Sequence, residues 1–226
     1  MEIDAATRRN LELTRTLGGE RAGSLLSCID RTITGPGARM LQARLSAPLC
    51  DKGQITARLE EVGTFFEDTK LRQQIRETLK SVPDMERALA RISVGRGGPR
   101  DLGSIRAGLK QAEQINVRLS QDGHAALQAI SGQLKQQPAV QALCDRLTKA
   151  LDDELPLLDR DGGFIREGFH AKLDDLKSLR DDSKRLIAAL QQKYREMTGI
   201  ESLKISFNNV LGYFVDVPAK RADALL

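Results

Sequence analysis

Tryptophan is absent from the 226 residues, aromatic side chains make up only 4%, and there are two histidines and three cysteines. Aromatic side chains pack well on pleated, half-buried sheet surfaces, so a sandwich or barrel fits poorly. Recurrent Leu, Ala, Arg, Gln and Glu favour helix instead. Cys28, Cys50 and Cys144 are odd in number and show no C-x-x-C spacing, which argues against a disulfide framework and against zinc. They read as reduced, partly buried thiols. His124 and His170 lack a neighbouring Cys or a ligand-spaced carboxylate pair, read as surface residues, and leave no metal expected. No apolar run nears the ~18 residues of a membrane helix. Met1-Glu2-Ile3-Asp4 offers neither a basic n-region nor an apolar h-region, which points to the cytosol. The phosphate-cradling G-x-x-x-x-G-K-[ST] loop is missing, so this chain alone is expected to bind no nucleotide and to hydrolyse no ATP. Nor does any Ser or Cys have an evident His and carboxylate constellation for nucleophilic catalysis.

What is present is length enough for a real core, at 24.9 kDa one large or two small domains. The formal charge of +4 is small, but ten Lys or Arg stand against four acids between Lys70 and Lys110, and the remainder sums to −2. Such a zone fits contact with an anion such as a nucleic-acid backbone, and equally fits solvated helix faces, which is the commoner origin.

Helical punctuation is plain in the first half. Gly35-Pro36-Gly37 opens a segment with Met40, Leu41 and Leu45 at helical spacing, and Pro48 stops it near Ala47. Asp51 followed by Gln54 predicts a capped start for a helix to about Phe66, with Ile55, Leu59, Val62 and Phe66 on one stripe. Shorter helices are expected over Leu71–Leu79, from Pro83 through Met85, Leu89 and Ile92, and after the loop Gly95-Arg96-Gly97-Gly98-Pro99 through Leu102, Ile105 and Leu109. That glycine-rich loop could offer amides to a phosphate, but it lacks the lysine and a preceding strand and reads as a turn. From Leu119 to Leu158 Gly123, Gly132 and Pro138 predict short helices.

The most informative stretch is 168–198, about 31 residues without Gly or Pro beyond Gly168. At ~1.5 Å per residue it would reach ~46 Å. Leu176, Ser183, Leu190 and Met197 share one position of a near-heptad, Leu179 and Leu186 another, with Leu173, Ile187 and Tyr194 alongside. Such a stripe requires another helix to cover it. Paired acids 174–175 and 181–182 beside Lys177, Arg180, Lys184 and Arg185 read as ion pairs on a solvated face. Gly199 ends the helix, and the period changes from 3.6 to 2: Leu203, Ile205 and Phe207, then after Asn208-Asn209 the alternation of Tyr213, Val215 and Val217. That is a β-hairpin after a long helix. Lys204, Asn208 and Asn209 in the hairpin, with Lys220 and Arg221 just after it, are the candidate contacts to nucleic-acid phosphates. For the asparagines the alternative is that they merely tolerate the turn's backbone angles, and for Lys204 that it is an ordinary strand lysine.

The strings Asp4-Ala5-Ala6-Thr7-Arg8-Arg9-Asn10-Leu11-Glu12-Leu13, Asp30-Arg31-Thr32-Ile33-Thr34-Gly35-Pro36-Gly37-Ala38-Arg39-Met40-Leu41, Asp84-Met85-Glu86-Arg87, Gly163-Phe164-Ile165-Arg166-Glu167-Gly168 and Asn208-Asn209-Val210-Leu211-Gly212-Tyr213-Phe214 occur in one order along the chain. Together they resemble the core, or lever, domain of the MutS family of bacterial DNA mismatch repair proteins. Arg44 departs from the pattern, where that family commonly carries Trp. The Phe-x-Glu within Phe65-Phe66-Glu67 is similar to the family's mismatch-probing motif but lies at the end of a core-domain helix, so Phe66 reads as core and Glu67 as surface.

The resemblance implies a mainly α fold: a helical core domain over 1–167, a long lever helix over 168–199 and the start of a β-rich clamp over 200–226. On that reading the chain is incomplete. A mismatch-reading domain would precede it, and the rest of the clamp, a returning helix and an ATPase domain would follow. The complete protein would use ATP and Mg, form a homodimer around duplex DNA and recruit downstream mismatch repair factors. This portion would supply the lever and non-specific backbone contact. Three alternatives remain: a helical scaffold or coiled-coil module without DNA binding, a truncated non-functional fragment, and a divergent relative specialised for something other than mismatches, against which the hairpin counts.

Overall fold

The computed structural model describes residues 4–121, 124–218 and 220–221. The chain divides into two compact units, one ending at Arg166 and the other starting at Glu167. Both follow the mainly α pattern expected from composition.

The first unit strings together α1 (Ala5–Asn10), α2 (Leu25–Ile29), α3 (Gly35–Ser46), α4 (Lys52–Glu67), α5 (Thr69–Lys80), α6 (Met85–Ser93), α7 (Pro99–Gln121), α8 (Ala125–Leu134) and α9 (Pro138–Ala150). Asp4, Ser24, Thr34, Asp51, Asp68 and Asp84 cap α1 to α6, each side-chain oxygen accepting from the amide three residues on. Such a cap satisfies one of four orphan donors and contributes about 0.5–2 kcal/mol. Leu71 and Ile75 of α5, Ile115 and Leu119 of α7 and Leu127 of α8 form the buried cluster, with Phe65, Leu79, Val82, Ile130 and Leu134 packed around it. Beside it α6 lies on α7, where Ala88 is fully buried and Gly108 sits under Met85, whose Sδ would be 2.0 Å from a Cβ at that position.

Arginines fasten these helices to one another. Arg72 donates to the carbonyls of Phe65 and Phe66 at the end of α4, and Arg76 reaches back to the Arg31 carbonyl at 2.9 Å. Arg106 holds the Leu151 and Asp152 carbonyls just beyond α9 at 2.9 and 3.2 Å, and Arg100 holds that of Leu155 at 3.0 Å. Leu151 forms an antiparallel bridge with Ile165, which draws the end of the unit back onto α9. Arg39 of α3 grips Asp84 through two bonds of 2.8 and 2.9 Å and also reaches Glu86 at 2.6 Å.

Between α6 and α7 the glycine-rich segment is a turn closed on the chain's own carboxylate. Asp101 is nearly buried, accepts from the Gly98 amide at 3.0 Å and from Arg91 through Nε and Nη2. The Arg91 guanidinium holds the Asp101 carboxyl below its usual range. Gly97 is needed because a Cβ there would fall 2.4 Å from Cγ1 and 2.9 Å from Cα of Ile92.

In the second unit α10 (Ala171–Thr198) leads into β1 (Lys204–Asn208) and β2 (Gly212–Asp216), paired antiparallel with Lys204 opposite Asp216 and Asn208 opposite Gly212. The helix starts later than residue 168 because Gly168 has φ +82°, outside right-handed helical space. Its first turn is capped by His170, whose Nδ1 accepts from the Leu173 amide at 3.3 Å, while Asp174 accepts from the Gly168 amide at 3.0 Å. Gly199 closes it in the left-handed conformation, φ +67°.

Several sequence expectations are corrected. Phe66 is not core: it is 79% exposed, and Phe65 packs inward in its place, because α4 turns the face that meets α5 and α8 away from the Ile55 stripe. Cys28 and Cys50 are exposed, and of the three cysteines only Cys144 is buried. Gly132 does not interrupt a helix but lies within α8, a cost of about 1 kcal/mol that the burial of Leu127 offsets. Arg44 stands exposed in α3, so no pocket for a large ring is left unfilled there.

Three substitutions test these contributions to stability. Pairing with Arg39 lowers the Asp84 carboxyl from 3.8 to about 2, so the contribution is present above pH about 4 and lost as the pH falls towards 2. Asp84→Asn keeps a capping oxygen but removes the charge, and its thermal midpoint should vary less than wild type between pH 4 and 2. Gly97→Ala, which must displace the Ile92 backbone, should cost about 1–3 kcal/mol in denaturant unfolding. Gly63→Ala, where a Cβ meets nothing within 4 Å, should instead stabilise by up to about 1 kcal/mol.

Candidate nucleic-acid interface

The hairpin is anchored before it is presented. Leu203 and Ile200 are buried just after the helix end, and Arg195 donates from Nε to the Leu203 carbonyl at 2.7 Å. The Ile205 amide then donates to Oε1 of Gln191 at 2.9 Å, so β1 runs back beside the last turns of α10 instead of continuing its axis. This fixes which strand edge is occupied: β1 has a side-chain acceptor on its outer side.

Alternation along the strands sorts the side chains. Lys204, Ser206 and Asn208 line one face with Phe214 and Asp216, and Ile205, Phe207, Tyr213 and Val215 line the other. On the latter the Phe207 and Tyr213 rings meet at 5.0 Å, tilted by 59°. The three-residue connection Asn209-Val210-Leu211 leaves Val210 91% and Leu211 69% exposed.

Of the five candidate contacts, Asn208 has a local task. Its Oδ1 accepts from the amides of Val210 and Leu211 at 3.0 and 2.7 Å, an Asx turn that shapes the connection and leaves only its Nδ2 for other partners. Asn209 is exposed beside it. Lys204 shares the Asn208 face at the opposite end of the strand, about 13 Å away at ~3.3 Å per residue, and stands across from Asp216, which offsets its charge locally. Lys220 and Arg221 are exposed in a turn in which the Arg221 amide donates to the Pro218 carbonyl at 2.8 Å, beyond the Lys204 end of the hairpin. Thus Lys204, Lys220 and Arg221 belong to one end and the asparagines to the other. Gln191 and His170 were not visible as structural residues in the sequence: a glutamine mid-helix carries no spacing signal, and histidine is not a favoured cap.

The basic zone 70–110 is exposed at most of its cations but is tied largely to the chain itself. Seven of its ten cations, Arg72, Arg76, Lys80, Arg87, Arg91, Arg100 and Arg106, hold carbonyls or carboxylates of the chain itself. The Gly98 amide that might face a phosphate already meets Asp101. Among the described residues no group of three or more His, Cys, Asp or Glu is placed to hold a metal ion, and no helix is long and apolar enough to cross a membrane.

Comparison with known proteins now bears on this arrangement. The family described as MutS domain III matches residues 6–209. The DNA mismatch repair protein MutS of Rhodopseudomonas palustris (strain BisB5) is 51% identical over 226 residues, covering 100% of this chain and 24% of that protein. Those of Nitrobacter hamburgensis and Cereibacter sphaeroides (strain ATCC 17023) are 52% and 50% identical, again over 100% of this chain, and 25% and 26% of their own lengths are covered. The chain therefore spans about a quarter of the length of these relatives, and it belongs to the MutS domain III family.

Proposed function

We propose that this chain is the core and lever portion of an ATP-dependent mismatch repair protein, with residues 1–167 as the lever base, 168–199 as the lever and 200–226 as the start of a clamp that touches duplex DNA. The observation that carries the reading is a family match over 6–209 that takes in a 28-residue helix, capped at both ends, leading into an exposed hairpin. DNA contact here is to the backbone. Lys204, Lys220 and Arg221 supply charge, Asn209 supplies a neutral donor, and none of them reads base sequence. The nucleotide chemistry, with ATP and Mg, belongs to the complete protein, as do the homodimer and the downstream repair factors it would recruit. The lever's part is transmission: a helix about 42 Å long at ~1.5 Å per residue, once a second helix covers its heptad row, links a DNA contact to a distant nucleotide site as one body.

A second reading is a helical interaction module. It is favoured by the exposure of Leu176, Leu179, Leu186, Leu190 and Met197 on α10, and it requires salt-insensitive association without DNA binding.

In the full-length protein, Lys204→Glu, Lys220→Glu and Arg221→Glu combined should weaken matched and mismatched duplex binding by the same factor. The slope of log affinity against log salt should become shallower by up to about 2.7. An unchanged slope removes these residues from the interface. Leu190→Pro should break the helix at a cost of about 3 kcal/mol or more and abolish mismatch-stimulated nucleotide exchange. Normal exchange in that variant would sink the transmission role.

A further inference from the structure

Ile55, Leu59, Val62 and Phe66 of α4 are 37%, 64%, 58% and 79% exposed. Their steps of four, three and four residues are the a/d repeat by which one helix seats against another. A different side of α4, about 90° round on the Arg58 flank, is already engaged, since α4 packs on α5 and α8 and places Phe65 against the core. The stripe is therefore a second, separate face. Four large apolar side chains in one row form the kind of contiguous patch that marks an interaction surface.

The surroundings specify what fits. At 3.6 residues per turn Lys52 and Arg58 project on either side of the stripe, within about 70° of its centre, while Glu60, Glu61 and Glu67 lie more than about 100° away. Neither Lys52 nor Arg58 has a hydrogen-bonding or ion-pair partner among the described residues. On the Lys52 side Gly63 leaves a gap in which a Cβ would meet nothing within 4 Å, room for a neighbouring backbone to approach. An apolar seam with a cation on both flanks matches a helix that is apolar at a and d and acidic at its flanking positions.

We infer that α4 docks such an acid-flanked amphipathic helix, and that the helix is carried by the same polypeptide outside residues 1–226. The inference rests on the reading that the chain works inside a longer protein. The relatives are about four times as long as the stretch they share with this chain, and a helix tethered in cis meets the face at high effective concentration. Phosphate groups alone would satisfy Lys52 and Arg58 but leave the four apolar side chains in water, which disfavours a nucleic acid here.

The test is photo-crosslinking in the native-length protein with benzoylphenylalanine at position 66, read by denaturing gel and peptide mass mapping, beside the intact mass of the unmodified protein. The expected result is an intact mass several times 24.9 kDa and a crosslink from residue 66 to an acid-flanked helix of the same chain at unchanged gel mass. Lys52→Glu, at an exposed residue, with Arg58→Glu, at a half-buried one, should lower the crosslink yield at least threefold. A long protein in which residue 66 joins a second copy at doubled mass, joins DNA, or joins nothing overturns the docking inference and leaves the functional reading standing. A native mass near 24.9 kDa overturns both.

Discussion

A short helix leaves nearly as many backbone groups unpaired at its ends as it pairs between them, and the first unit is built largely of helices of five to sixteen residues. None would persist alone in water. Their persistence depends on where those end groups go, and six consecutive side-chain caps take up amides at one end while arginines take up carbonyls at the other. Arg72 makes this explicit: it belongs to α5 yet satisfies the last carbonyls of α4, so the cap of one helix is also the joint to the next. The buried cluster around Leu71 and Leu127 can stay small because these polar joints fix the angles at which its helices arrive.

The same constraint explains the fate of the positive charge. A guanidinium at a helix end meets carbonyl oxygens carrying the negative end of the helix dipole, a favourable site that occupies part of its donor fork while its charge remains. Arg72 and Arg106 are placed this way, Arg76 and Arg100 hold loop carbonyls, and Lys80, Arg87 and Arg91 meet carboxylates. A basic stretch in sequence can thus be structural as well as exposed. At the hairpin and just after it, Lys204, Lys220 and Arg221 are likewise exposed.

How much of this was legible follows from which forces are local. Caps, the closing Gly199 and the hairpin register depend on residues within four or five positions of each other. Asp51 with Gln54 and the alternation from Leu203 to Val217 were therefore readable directly. The stripe Ile55-Leu59-Val62-Phe66 was readable as a stripe but not as an exposed one, since periodicity reports that a face is apolar and says nothing about what covers it. Gln191 was invisible for the opposite reason. Its partner, the Ile205 amide, is 14 residues away, and only the reversal of direction after Gly199 brings the two together. Asn208 was the case left open between turn-former and phosphate donor; its Oδ1 bonds resolve the first half and leave its amide nitrogen for the second.

The two units meet the unpaired-group problem in opposite ways, and the difference bears on the proposed function. Many short helices joined by side-chain bonds make a body whose parts hold one another, as a lever base requires. A single long helix needs few joints, because propagation supplies one backbone bond per added residue and only the two ends require caps. His170 with Asp174 at one end and Gly199 at the other provide them. The cost of that economy is lateral. A 28-residue helix with none of its described residues buried keeps its backbone bonds yet has no core to resist bending, and its heptad row is the natural place for a second helix to add stiffness. A lever made this way would be stiff only when its row is covered, so the rigidity that transmission demands becomes a property of the assembled protein, while the base and the hairpin anchor retain their geometry from local bonds.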